Sequence, residues 1–452
     1  MSNSKVRLEW DGRGDCSGLN SPVLTPRTIA NIYPKPVNLD SSLWCATSPG
    51  TLAAPANRMF YGDNLEVMRY LLHNGYLNRF NLIYIDPPYL SNQKYLSRIE
   101  IGEKSSSQAV YRQVFHDSGP GDLDAFLEQI FPRLQLMKAL LAENGSLFVH
   151  LDWHVSHYVK VLLDEIFAPE TMINEIVWCY GGGSGTRRHF HRKHDLILWY
   201  AKGADYVFNP QYRPYSPKTV ERGLTKVKGD RYQLHHQGAL MQDWWTDINK
   251  ILSPTAYENL KFPTQKPLAL LERIIKSASN PGDLVGDFFA GSATLAQVCE
   301  TSGRSWVSCD HSPIAIDTGV KRLIKITARP FSLESMAASP GPGPGKLTLK
   351  PPVINYLKSG EILLHLGIAD YDPGREVEPA ACVYYLDFWE IDMHYDGVCF
   401  NSELQVIRTS NRIDGELPLD ITTRLKKPSQ PTQVAVKVHD IFGATALAIA
   451  NI

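Results

Sequence analysis

Phe80-Asn81-Leu82-Ile83-Tyr84-Ile85-Asp86-Pro87-Pro88-Tyr89 is the stretch that decides the fold. Its first six residues carry a single polar side chain, Asn81, so the run reads as a short strand covered on both faces. Pro87 and Pro88 cannot continue a hydrogen-bonded ladder, so the strand stops at Asp86. Strands of this kind belong to sheets with helices on both sides. Ligands of such sheets bind beyond the carboxyl ends of the strands, where Asp86 stands.

The same alternation extends in both directions. Arg58-Met59-Phe60-Tyr61 reads as a strand ending at Gly62-Asp63, followed by a helix from Leu65 to Leu72. Helices are expected over Leu123–Leu141, Val155–Phe167, Leu268–Ser277, Thr294–Thr301 and Pro313–Thr327. Strands are expected over Gly145–Leu151, Leu196–Tyr200, Asp283–Phe288 and Ser305–Cys309. The stretch 1–57, rich in Pro, Ser, Asn and Gly, reads as an irregular arm. A catalytic domain over 58–330 is expected, then a Pro/Gly linker over 331–345 that includes Pro340-Gly341-Pro342-Gly343-Pro344-Gly345. Beyond it the pattern turns β-like, with Asp396-Gly397 as a hairpin turn, giving a β-rich domain over 346–452.

Bulk properties set few limits. Lys and Arg number 46 against 47 Asp and Glu, a balance that neither demands nor forbids a nucleic-acid partner. The N-terminal residues carry no apolar run, and no stretch is long and apolar enough to span a bilayer, so a cytoplasmic protein without a membrane partner is expected. The 7 cysteines include no C-x-x-C pair, so neither a metal site nor a disulfide framework is expected.

Three short constellations carry chemistry. The first is Asp86-Pro87-Pro88-Tyr89. An exocyclic amino group is a poor nucleophile because its lone pair is delocalised into the ring. Acceptors on both N–H bonds turn that lone pair outward; Asp86 offers a carboxylate and Pro87 a rigid carbonyl. Tyr89 offers a face for a base drawn out of a duplex. The plainer reading is a Pro-Pro turn with a capping Asp.

The second is Asp287-Phe288-Phe289-Ala290-Gly291, between a strand and a helix, where Gly291 admits a ligand close to the backbone. Asp310 ends the next strand and suits ribose hydroxyls. The third is Thr264-Gln265-Lys266-Pro267 before a helix, whose Lys266 suits a carboxylate. Tight turns without a ligand would look similar, and Asp63 would serve equally as a helix cap.

Taken together, these residues resemble the motif set of the amino-methylating DNA methyltransferases, in the β-class order with the catalytic motif first. The resemblance covers 58–327. It implies a Rossmann-like α/β sheet binding S-adenosyl-L-methionine (SAM), and transfer of its methyl group to N6 of a flipped adenine in double-stranded DNA. By resemblance, Asp86, Pro87, Pro88 and Tyr89 are catalytic, and Asp287, Phe289 and Gly291 hold SAM with the intervening Phe288 and Ala290. Thr264, Gln265, Lys266 and Pro267 would close over its methionine end, Asp310 would hold its ribose, and Asp63 would stand near its adenine. Ala293 departs from the family, which usually has glycine there. Restriction or defence-system proteins and a second copy of the chain are further candidate partners.

Between the motifs, 181–261 reads as a DNA-recognition insertion. Gly181, Gly182 and Gly185 form a loop, followed by Arg187, Arg188, His189, His191, Arg192, Lys193 and His194. Arg213, Lys218, Arg222, Lys226, Lys228 and Arg231 follow with interleaved tyrosines. Such clusters suit phosphates and stacked bases, although a solvated basic face would look the same. Asp243-Trp244-Trp245-Thr246-Asp247 reads equally as part of a target pocket or as a packed corner.

N4-cytosine methylation uses the same geometry, and in the family Asp at the position of Asp86 leans toward adenine. No Pro-Cys dipeptide is present, which excludes C5 chemistry. A DNA-binding subunit without catalysis is the reading of another class. Paired acids in the tail, Asp387, Glu390, Asp392 and Asp396, would suit a metal or nuclease site, but the β-rich tail resembles those of related restriction or defence methyltransferases, which implies an accessory or partner-docking role.

Overall fold

A computed structural model describes residues 6–11, 13, 22–35, 55–101, 108–117, 122–182, 185, 187–224, 234–253, 256–336, 345–375, 382–408, 417–428 and 430–452. The central sheet of these residues has eleven strands. Six of them run parallel at its centre, in the spatial order Leu141–Leu151, Phe80–Ile85, Leu284–Asp287, Ser305–Asp310, Asn57–Tyr61 and Phe331–Ser335. His194–Ala201 continues the sheet antiparallel beside Leu141–Leu151, followed by Met172–Cys179 and the short Trp244–Trp245. The sheet is therefore mixed.

Successive residues of the Phe80–Ile85 strand serve opposite layers. Leu82 and Tyr84 pack with the helices Leu268–Ala278, Thr294–Ser302 and Pro313–Lys325. Ile83 and Ile85 pack with Asn64–Leu71, Leu123–Leu140 and Ser156–Phe167, and Phe80 joins them because the register shifts between it and Leu82. The period of two along a strand puts an apolar side chain on each face, which is why the run has no polar alternation. No helix of the described residues is long and apolar enough to cross a membrane.

Several expectations need correction. Arg27–Ile32, inside the stretch read as irregular, is a strand antiparallel to Phe331–Ser335. Phe331–Ser335 is itself a buried sheet strand, not linker. Its Glu334 is tolerated inside because Arg58 donates to both carboxylate oxygens, at 2.7 and 2.6 Å. The remaining residues read as linker, except Met336 and Gly345, lie outside the described ones. An antiparallel hairpin, Lys94–Ile101 with Gln108–His116, follows the Asp86 motif where nothing regular was expected.

The tail forms two antiparallel sheets over one core that includes Leu364, Trp389, Ile391 and Val436. One of its strands, Phe400–Ser402, leaves them and pairs with Arg27–Ile32 at the edge of the central sheet. A buried ionic cluster joins tail to core. His439 lies 2.9 Å from Asp317 on the helix Pro313–Lys325 and 2.9 Å from Glu390, which Lys437 approaches at 3.0 Å. Burial opposes charge on His439, but Asp317 and Glu390 outweigh it and raise its pKa. Burial likewise opposes charge on Glu390, but Lys437 and His439 bring its carboxyl down to about 2. The tail acids are thus engaged within the fold: Asp387 pairs with Lys321, and Asp392 accepts from the backbone of His394 and Asn401.

Candidate active site

Asp86, Asp287 and Asp310 all follow or end parallel strands, so the sheet delivers them to one edge. The Asp86 and Asp287 strands are direct neighbours, with Ile83 opposite Gly286. A cavity of about 360 Å³ opens there, within the range of about 300–1,000 Å³ usual for small-molecule sites. Its walls include Asp86, Pro87, Pro88, Tyr89, Thr264, Gln265, Lys266, Asp287, Phe289, Ala290, Gly291 and Asp310. Three motifs dispersed over more than two hundred residues therefore share one space.

The acids are held by specific partners. Both oxygens of Asp86 are engaged, one by the hydroxyl of Tyr89 and the other by the ammonium of Lys266. Burial, and then the charge of Asp86, pushes the Tyr89 phenol up. Asp287 accepts from the Phe289 amide at 3.1 Å. Burial, helped by the charges of Asp86 and Asp310, raises its carboxyl to about 8. Burial also raises Asp310, which accepts from the amides of Gly291 at 2.8 Å and Ser312 at 2.9 Å.

The remaining predicted residues divide by task. Phe288 is fully buried against Phe80 and does not line the cavity, although its carbonyl accepts from Asn64 at 2.7 Å. Gln265 uses its side chain to shape its own loop, accepting from Leu260 and donating to the Glu258 carbonyl. Pro267 caps the helix Leu268–Ala278, and Thr264 holds a left-handed backbone with φ of 61°. Asp63 lies outside the cavity walls; it caps the helix Asn64–Leu71 through the Leu65 amide and accepts from Arg133 at 2.7 Å.

A donor set of this kind fits SAM. The sulfonium and ammonium of that molecule are cationic, and the cavity walls include the carboxyls of Asp287 and Asp310 beside the Gly291 turn. Gly291 has φ of 49°, and a methyl group there would stand 3.4 Å from the Phe262 ring, so glycine keeps the approach to the backbone open.

The other end of the cavity was not legible in the motifs. Asp195 accepts from Tyr180 at 2.8 Å, faces His150 at 3.3 Å and lies 3.9 Å from Lys250. Burial opposes the charge on Asp195, but His150 and Lys250 outweigh it and hold its carboxyl well below the usual range. Trp153, Trp178, Tyr180 and Lys250 line this end, and Tyr95 and Phe115 of the hairpin stack at 4.6 Å on a further wall. The signal was the His194-Asp195 pair opening an apolar run. Because that strand is antiparallel, its beginning, not its end, lies at the active edge.

The predicted DNA contacts divide likewise. Arg187, Arg188, His191 and Arg192 are exposed, and Lys193 half-buried, on the turn between Met172–Cys179 and His194–Ala201. This turn projects from the active edge, because Leu196 pairs with Leu151 at the carboxyl end of its strand. The Arg192 guanidinium lies 4.0 Å above the Trp153 ring at the cavity wall. Arg213 donates to Gln242 at 2.6 Å on a two-stranded ribbon, and Lys218 is exposed on the helix Pro217–Leu224. Arg222 falls on that helix with its side chain outside the described residues, as are Lys226, Lys228 and Arg231 altogether. Of Trp244-Trp245, only Trp245 is buried while Trp244 is exposed; Asp247 pairs with Arg273, and none of the three lines the cavity.

The chain is 27% identical over 327 residues to the type II methyltransferase M.EcaI of Enterobacter cloacae, covering 59% of this chain and 69% of that one. It is 27% identical over 292 residues to the DNA adenine methyltransferase YhdJ of Escherichia coli K12, covering 64% and 89%. Among solved structures, the M1.HpyAVI–SAM complex matches 59% of this chain and 98% of its own at 20% identity, with a TM-score of 0.39. The model of the N6/N4 DNA methylases matches residues 80–321, more than half of the sequence. The chain belongs to the N6/N4 DNA methylase family.

Proposed function

We propose that the protein methylates N6 of adenine at a specific sequence in duplex DNA, with the adenine flipped into the cavity. The observation that carries this reading is the carboxylate of Asp86 at the floor of a cavity shared with Asp287, Gly291 and Lys266. SAM, when bound, supplies the methyl group. Asp86 and the Pro87 carbonyl accept the two amino N–H bonds, which frees the nitrogen lone pair and fixes its direction. Tyr89 orients Asp86 through its hydroxyl and offers its ring to the base. Trp153, Trp178 and Phe289 give the cavity apolar walls beside the reacting groups. Adenine is favoured over cytosine by Asp at the first motif position and by the similarity to YhdJ, a DNA adenine methyltransferase.

Single-molecule sequencing of DNA from cells expressing the protein, beside an Asp86→Ala control, tests this. N6-methyladenine at one short motif, absent from the control, is expected. N4-methylcytosine alone would transfer the reading to cytosine, and no modified base would overturn catalysis on DNA.

A further inference from the structure

Phe190 is 99% exposed, an unusual state for the largest purely apolar type of ring. It stands in a basic run, with Arg187 and Arg188 before it and Arg192 and Lys193 after it. This run forms the projecting turn at the active edge, and its base is anchored. The Tyr180 amide donates to the Lys193 carbonyl at 2.9 Å, and the Lys193 ammonium bonds the Gly182 carbonyl. Two residues after Phe190, Arg192 is fixed on Trp153 and lines the cavity. A turn anchored at its base thus carries one exposed ring, flanked in sequence by positive charge, two residues from the Arg192 that lines the cavity.

We propose that Phe190 is the wedge that enters the base stack and fills the gap left by the flipped adenine. This rests on the reading of the protein as a base-flipping DNA methyltransferase. Flanking cations seat the turn on phosphates, and the ring replaces the lost stacking partner, as apolar wedges do between base steps. The occupant of this surface is therefore the base stack of duplex DNA, chosen over a protein partner by the charge around the ring.

The test uses the full chain and two duplexes bearing the motif found by sequencing, one with adenine at the target position for methylation kinetics and one with 2-aminopurine there for fluorescence. Binding of the unaltered protein should raise the 2-aminopurine fluorescence through unstacking. Phe190→Ala should lose most of that rise and about tenfold in kcat/KM, with SAM affinity unchanged. Phe190→Trp should retain both. An abasic site opposite the target removes the pair that must be broken, and should restore Phe190→Ala to within about threefold of the parent. Unchanged flipping in Phe190→Ala would overturn the proposal, as would a deficit that persists on the abasic duplex. A changed oligomeric state with normal flipping would instead assign the ring to a protein interface. If the unaltered protein neither binds nor methylates the adenine duplex, the underlying reading fails, and not the wedge alone.

Discussion

The ammonium of Lys266 is paired with the carboxylate of Asp86 across 180 positions of sequence. The pair ties the Thr264–Pro267 loop to the end of the Phe80–Ile85 strand, and both of its members line the cavity. Because Asp86 stands at the end of one strand and the Asp287-to-Gly291 turn follows another, loss of the Asp86 carboxylate should separate chemistry from cofactor binding. Asp86→Ala is expected to lower methyl transfer by about 10²–10⁴-fold, the range for removing a positioned acid or base. Calorimetric SAM affinity should stay within about threefold, since the variant spares the Asp287-to-Gly291 turn. Parallel loss of both would make Asp86 a cofactor residue.

Asp287 gives a pH dependence. With its carboxyl raised to about 8, the folded ligand-free protein keeps a proton there that the unfolded chain has already lost. Its contribution to stability therefore falls as pH rises from about 4 to about 8. A cationic ligand favours the ionised form, so SAM should bind with proton release near pH 7 and with affinity that rises up to about pH 8. Calorimetry in buffers of different ionisation heat measures the proton. Asp287→Asn should abolish the release; release undiminished in that variant would assign the proton to another group.

The alanine that stands where the family usually has glycine is accommodated by its neighbour. Ala293 has φ of 55°, and a methyl group built at Gly319 would lie 2.9 Å from its Cβ and 3.1 Å from Met59. Gly319→Ala should therefore destabilise by about 1–3 kcal/mol in urea unfolding. Ala293→Gly should recover most of that loss in the double variant while having little effect alone. Strict additivity of the two changes would show that they do not meet.

Removing the imidazole of the tail cluster should be expensive. His439→Leu leaves Asp317 and Glu390 buried without their shared partner, at a cost of about 3–5 kcal/mol. The raised pKa of His439 means its contribution is complete below about pH 6.5 and is lost as pH climbs through the folded value. The stability difference between parent and variant should shrink accordingly from pH 6 upward. A difference independent of pH would mean that the imidazole is held neutral.

What was legible followed from one rule of parallel sheets. Asp86, Asp287 and Asp310 each sit at a carboxyl strand end, so apolar run and acid could be read together. Asp195 escaped because its strand runs the other way. Phe331–Ser335 escaped because Ser332 and Glu334 look like linker until Arg58, far away in sequence, supplies the countercharge. The paired strands Lys94–Ile101 and Gln108–His116 depend on partners no local pattern announces: Ile99 and Val110 pack on Tyr385 and Ile441 of the tail.

The edge of the central sheet carries a last consequence. Arg27–Ile32 is one of the earliest strands, yet the neighbour on its outer side, Phe400–Ser402, comes from near the other end of the chain. On the ribosome, the catalytic sheet must wait with that flank open until residue 402 has emerged, exposing unpaired backbone groups that invite other strands. Slow or interrupted synthesis through the tail therefore threatens solubility before it threatens chemistry, and the tail acts as the cover that ends this vulnerable interval.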